Sequence, residues 1–184
     1  GLSPSNGSFK QIINVNLRGA ALVANAFRGI ARPGSVAILI SSLGAHRYFP
    51  SAEMIEILRD PAAADLADKL EDLVGAEAAK TGVSYPISKW GMNFFVRRQA
   101  TAWGERDARI VSLSPGMIAT PMGAREFARS EVKRQNYAKT PLKRECTMLE
   151  IADVVEFLSS PRASFISGTD LLVDGGVTAA LLEI

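Results

Sequence analysis

The chain has 184 residues and a net charge of +2, and 47% of its residues are hydrophobic. That is enough apolar material for one core of ordinary size and too much for a disordered chain. The charges are too balanced and the basic runs too short for a nucleic-acid partner, no apolar run is long enough to span a membrane, and the single cysteine, Cys146, has no internal disulfide partner.

The elements follow in chain order. Residues 1–7 form a Gly/Ser/Pro/Asn loop with no basic stretch leading into an apolar one, so no leader pattern is visible and a soluble, cytoplasmic protein is expected. Ser8 and Gln11 have capping-box spacing and open a helix predicted over 9–31, which Pro33-Gly34 stops. Residues 35–40, SVAILI, read as a strand buried on both faces. Ser41-Ser42-Leu43-Gly44 leaves its C-terminal end. A long excursion, about 45–82, carries helices predicted at 52–59 and 63–80. Gly82 ends it, and a helix over 83–103 follows, with Pro86 near its first turn where the missing N–H costs little. Residues 109–114 are a second buried strand, turned out by Pro115-Gly116. Polar helical pieces lie between 117 and 140. Thr147 and Glu150 form a second capping box, opening a helix to Ser159. A third strand over 169–173 ends at Asp174-Gly175-Gly176, a turn sequence in its own right. Helices alternating with apolar strands predict an α/β layered, parallel sheet, with ligands bound outside the carboxyl ends of the strands.

One pair on the fourth predicted helix carries chemistry. Tyr85 and Lys89 are four apart and so share a helix face. Tyr48 and Tyr137 have no such lysine. An ammonium close to a phenol favours the phenolate, so the spacing predicts a Tyr85 pKa below its ordinary value of about 10 and a phenol able to exchange protons near neutrality.

The pair does not stand alone. Asn14-Val15-Asn16-Leu17, Ile40-Ser41-Ser42, Tyr85-x-x-x-Lys89, Ser114-Pro115-Gly116 with Thr120, and Val173-Asp174-Gly175-Gly176 occur in that order. Together they resemble the classical short-chain dehydrogenase/reductase family. The resemblance implies a Rossmann-like doubly wound parallel sheet and hydride transfer between NAD or NADP and a small-molecule alcohol or carbonyl. It implies Tyr85 as the proton donor and acceptor at the substrate oxygen. It gives Lys89 the nicotinamide ribose and the tuning of Tyr85. Ser42 would hydrogen-bond the substrate oxygen, and Asn16 would hold a water relaying protons to Lys89. Pro115, Gly116, Ile118 and Thr120 would line the nicotinamide; no metal is implied.

Alternatives stand beside these roles. Asn16 reads equally as an exposed mid-helix asparagine, Ser41 competes with Ser42, and Thr120 could simply open a turn with Pro121. His46, the sole histidine, reads as a surface-loop residue and Cys146 as a structural thiol.

The sequence departs from the family pattern twice. The Ser42–Tyr85 gap is long and resembles the helical insertion of bacterial 3α-hydroxysteroid dehydrogenase/carbonyl reductases and of coniferyl-type aryl-alcohol dehydrogenases. Met117, Ile118, Met122 and Phe127 suggest an apolar ligand such as a steroid or aryl alcohol. The stripe Leu66, Leu70 and Leu73 is then a candidate homodimer or homotetramer contact, the other reading being packing on its own subunit. The family's dinucleotide-binding glycine loop and the N-terminal strands are missing from this chain. The resemblance thus implies that residues 1–184 are the C-terminal part of a single Rossmann-like domain. A non-catalytic binding or oligomerisation module and a sugar-epimerase type of the same family remain as alternatives.

Overall fold

Two of the three strands are nearly continuous runs of apolar residues, and the sheet they build is parallel throughout. The computed structural model describes residues 1–80 and 82–183. The excursion over 45–82 and the C-terminal tail therefore each contain one residue, Thr81 and Ile184, outside the described ones.

The first helix is a composite. α1 (Phe9–Ile13) starts at a capping box in which Ser8 and Gln11 bond each other's backbone reciprocally. It runs into a π-helical turn, Asn14–Arg18, closed by the Gly19 N–H on the Asn14 carbonyl. α2 (Gly19–Ile30) continues it. β1 (Val36–Ile40) leads into a 3₁₀ turn, Leu43–Arg47, and then to α3 (Ala52–Ile57). The helix predicted over 63–80 is two helices, α4 (Leu66–Val74) and α5 (Ala76–Ala79). Gly75 between them adopts φ +80°, which a side-chain-bearing residue resists and which ends the first helix. α6 (Ser84–Gly104) carries Tyr85 and Lys89 and has Pro86 in its first turn. β2 (Arg109–Pro115), α7 (Pro121–Arg129), α8 (Glu131–Lys139), α9 (Met148–Ser159), β3 (Asp170–Val173) and α10 (Val177–Leu182) complete the chain. The second capping box, Thr147 with Glu150, is formed as predicted.

The strand order is β1-β2-β3. Val36 pairs with Arg109 and Ser112 with Asp170, so the strand ends at Ile40, Pro115 and Val173 come out on one rim. Trp103, Val96, Ile110 and Ala24 fill the layer that α2 and α6 make on one face, while Leu158 and Ala163 pack against Val111 on the other. Helices cover both faces, as a doubly wound sheet requires. Central β2 is buried almost throughout, as expected, but β1 is not: its residues are half-buried and Ile40 is exposed. The difference is position, since β1 has a paired strand on one side only among the described residues.

The excursion resolves one of the sequence alternatives. Leu66 and Leu70 are fully buried and pack with Phe9, Ile13, Leu17, Met54, Leu58 and Ile87, with Leu73 against the edge of that cluster. The stripe offered as a dimer contact is used inside the chain, because the same apolar face that could meet a partner meets α1 and α6 first. Among the described residues no helix is long and apolar enough to cross a membrane.

Leu70→Ala removes a fully buried side chain from that cluster and is expected to cost about 2–5 kcal/mol in denaturant unfolding. Light scattering on the same variant should give an unchanged mass, which an interface residue would not.

Candidate active site

The strand rim opens into a cleft of about 1440 Å³ bordered by the Gly1–Pro4 segment, the π turn, the Ser41–Gly44 turn, α6 and α7. α6 enters it with Tyr85 and Lys89 on the same face, and Lys89 Nζ lies 5.6 Å from the centre of the Tyr85 ring. Lys89 is buried, and its Nζ donates to the Ile40 carbonyl at 2.9 Å. An ammonium carries three donors, so two more remain for a ligand's hydroxyls.

The Ser41–Ser42 ambiguity is a matter of faces. Ser41 is buried and donates through Oγ to the Lys89 carbonyl at 3.1 Å, a bond that belongs to the scaffold. Ser42 lies on the other side of the chain and lines the cleft beside Tyr85. It also caps the 3₁₀ turn, accepting from the Gly44 N–H at 3.2 Å.

Electrostatics corrects one expectation. Burial pushes the Tyr85 phenol up, not down; the nearby Ser42 hydroxyl works against this, and the charge of Glu126 adds to it. Burial also lowers the Lys89 ammonium to about 8. Spacing alone put a full charge beside a solvated phenol. In the fold both groups leave water, and desolvation favours the neutral form of each.

Asn16 is buried, which excludes the exposed reading. The π turn swings it toward Gly1 and Leu2. Its Oδ1 accepts from the Leu2 N–H at 2.7 Å and its Nδ2 donates to the Leu2 carbonyl at 2.9 Å. The carboxamide is thus turned to the Leu2 backbone.

Pro115, Gly116, Ile118 and Thr120 all border the cleft. A Cβ on Gly116 would lie 2.7 Å from Asp174 Cα, so only glycine lets β2 and the Asp174 turn meet there. Asp174 spends its carboxylate on the Gly176 and Thr178 N–H groups, the structural reading of that motif. Thr120 caps α7 by accepting from the Gly123 N–H at 2.9 Å while facing the cleft. The 117–119 stretch is pinned by a two-bond bridge to Cys146. Burial, with Glu150 nearby, pushes the Cys146 thiol up and away from reactivity.

Three side-chain groups escaped sequence reasoning. Glu126 is buried at the cleft wall and accepts from Ser3 Oγ at 2.9 Å and from Ser5 Oγ. Burial would raise its pKa, but those serines and the charges of Lys133 and Arg129 prevail and hold it low. Arg47 donates to Asn136 Oδ1 on α8 at 3.2 Å. His46 is no free surface residue: its Nε2 lies 2.7 Å from Asp170 Oδ2. Only the last had a signal, a carboxylate in the otherwise apolar strand DLLV.

A short-chain dehydrogenase/reductase of Alternaria brassicicola, bsc3, is 32% identical to this chain over 98% of it and 67% of the relative's own length. The chain belongs to the short-chain dehydrogenase/reductase family. Within that family, a 3-alpha-hydroxysteroid dehydrogenase/carbonyl reductase of Comamonas testosteroni is 28% identical over 98% of this chain and 71% of its own. The family model described as enoyl-(acyl carrier protein) reductase matches residues 72–178. The 3-alpha-hydroxysteroid dehydrogenase of Pseudomonas sp. B-0831 solved with NADH superposes with a TM-score of 0.80 at 24% identity, over 98% of this chain and 71% of that one, and so shares the fold. This short-chain dehydrogenase/reductase is an oxidoreductase.

The Lys89 shift has a sign that can be tested. Its folded pKa lies below its unfolded value, so between about 8 and 10.5 the unfolded chain binds more protons and stability rises with pH. Below about 8 the buried charge is a cost, at most about 3 kcal/mol. Lys89→Met should therefore gain stability relative to the parent at pH 7, less what the lost Ile40 bond returns, and the gain should vanish toward pH 10.5. Urea titrations at both pH values measure the difference.

Proposed function

We propose that the protein interconverts an apolar cyclic or aromatic secondary alcohol and its ketone at the Tyr85–Ser42 pair. One observation carries the reading: Tyr85 and Ser42 meet at the cleft wall, so close that a Cβ on Gly44 would touch Ser42 Oγ at 3.7 Å and the Tyr85 ring at 3.8 Å, and a single carbonyl oxygen can engage both hydroxyls. Met117, Ile118, Met122, Phe127 and Val132 border the same space and favour an apolar substrate. The 3α-hydroxysteroid and carbonyl activity named for the Comamonas relative supports the same class.

The residues present suit the nicotinamide end of the cofactor. Gly116 brings its bare backbone to the cleft wall, and Lys89 holds donors beyond the one on the Ile40 carbonyl. Pro115, Gly116, Ile118 and Thr120 would hold the ring edge, and Lys89 the ribose. When bound, the nicotinamide supplies or takes up the hydride. In reduction, Tyr85 gives its proton to the oxygen that gains charge, and Ser42 donates a second hydrogen bond to it. Both donors stand in place before that charge develops, the arrangement that costs no reorganisation during the step. The neutral phenol favoured by burial and by Glu126 is the form that donates. Asn16 serves as a positioning residue, holding the Gly1–Leu2 segment at the cleft mouth.

We further propose that residues 1–184 act as the C-terminal part of a Rossmann-like domain, with about 45–82 as a helical insertion. Val15, Val23, Phe27 and Ile30 make an exposed apolar stripe beside the open edge of β1, a surface suited to further parallel strands. We also propose a homodimer or homotetramer in the cytoplasm; the exposed Met148, Leu149 and Phe165 support a contact away from the insertion.

Tyr85→Phe deletes the proton donor and keeps the ring. Turnover of a cyclic ketone should fall by about 10²–10⁴-fold with NADH or NADPH binding preserved. Absorbance assays with a fluorescence titration of the cofactor check both, and retained turnover would remove Tyr85 from the mechanism.

A further inference from the structure

Ser42 is held on a weak element. The Leu43–Arg47 turn that follows it is a single 3₁₀ stretch, whose hydrogen bonds are poorer than those of an α-helix. Its entrance is fixed through Ser41, whose N–H donates to the Leu113 carbonyl at 2.7 Å and whose Oγ donates to the Lys89 carbonyl. Its exit is fixed differently, through His46.

His46 Nε2 lies 2.7 Å from Asp170 Oδ2, and the Asp170 side chain is only 3% exposed. A buried carboxylate needs partners to offset its lost hydration. Asp170 Oδ1 accepts from Ser114 Oγ at 3.0 Å, and Ser114 Oγ in turn accepts from Asn93 Nδ2 at 3.4 Å. Burial would raise the Asp170 pKa, but the bonds from His46 and Ser114, with the Ser112 hydroxyl close by, prevail and hold it below the usual range. Asn93 stands one turn beyond Lys89 and two beyond Tyr85 on the same face of α6. Two links therefore join α6 to the 3₁₀ turn: the close approach of Tyr85 to Ser42, and a hydrogen-bonded chain from Asn93 through Ser114 and Asp170 to His46. The longer link touches no part of the reacting group, and nothing in the chemistry of proton or hydride transfer uses it.

We propose that His46 is a positioning residue for Ser42. Its bond to Asp170 fixes the exit of the turn, so that the Ser42 hydroxyl stays aimed at the Tyr85 phenol and at a substrate oxygen between them. The proposal rests on the reading of Ser42 given above and extends it to a residue outside the cleft chemistry.

A kinetic double-mutant cycle on the full-length enzyme tests it. Ser42→Ala should lower kcat by about 10²-fold, as loss of one transition-state donor does. His46→Ala should lower kcat by roughly 10-fold, a part of the same effect, with the KM for cofactor unchanged. The double variant should be no slower than Ser42→Ala alone, because His46 then has no hydroxyl to aim. His46→Gln, whose amide N–H reaches as far as Nε2, should restore most of kcat, and the shorter His46→Asn should not. This pair carries the test if the alanine variant fails to fold. A His46→Ala factor that persists undiminished in the Ser42→Ala background, or a His46→Ala kcat within about twofold of the parent, overturns the proposal and leaves the reading of Ser42 intact. A Ser42→Ala enzyme of normal activity removes that reading, and this one with it.

Discussion

Two hydrogen bonds between residue 89 and the end of β1 set the geometry on which everything else depends. Lys89 Nζ donates to the Ile40 carbonyl, and Ser41 Oγ donates back to the Lys89 carbonyl. One bond starts from the tip of the lysine and the other ends on its backbone, so together they fix where and how α6 crosses the strand end. With that crossing fixed, the next turn of the helix toward its N-terminus puts Tyr85 beside Ser42. Gly44 reports the closeness of this fit, since a Cβ there would touch Ser42 Oγ at 3.7 Å and the Tyr85 ring at 3.8 Å.

The same arrangement has an electrostatic consequence. Holding an ammonium out of water is costly, and Lys89 answers by titrating near 8. Tyr85 moves the other way for the same reason, helped by the negative charge of Glu126. At neutral pH the cleft therefore presents a protonated phenol next to a cation that gives up its proton unusually easily. That combination suits a site that gives a proton to a developing alkoxide and must be recharged afterwards.

The cleft is also roofed. α7 and α8 are polar helices with little core of their own, held to each other by the edge-on contact of Phe127 and Tyr137. They are tied down at two points: Glu126 to Ser3 and Ser5 on one side, and Asn136 to Arg47 on the other. Each tie ends on a segment that also bears on the Tyr85–Ser42 pair. Ser3 lies next to the Leu2 backbone that Asn16 grips, and Arg47 closes the 3₁₀ turn that begins after Ser42. Cover, mouth and the Tyr85–Ser42 pair thus share anchors.

The sequence by itself determined the layered α/β class, both capping boxes, the buried central strand and the Tyr85–Lys89 face. These depend on neighbours in the chain: periodicity, caps and turns act over a few residues. The resemblance of its motifs to a known family added Ser42, Pro115, Gly116, Ile118 and Thr120, and the fold puts all five on the cleft. The sequence did not foresee the break at Gly75, where a single left-handed glycine overrides a run of good helix formers. It assigned Tyr85 the wrong direction of pKa shift, because spacing gives the charge but not the amount of water removed. The partners of His46, Glu126 and Asn16 were decided by the tertiary structure alone. Each of those bonds joins segments distant in sequence, and only the packed sheet brings a buried carboxylate or carboxamide within reach of what satisfies it.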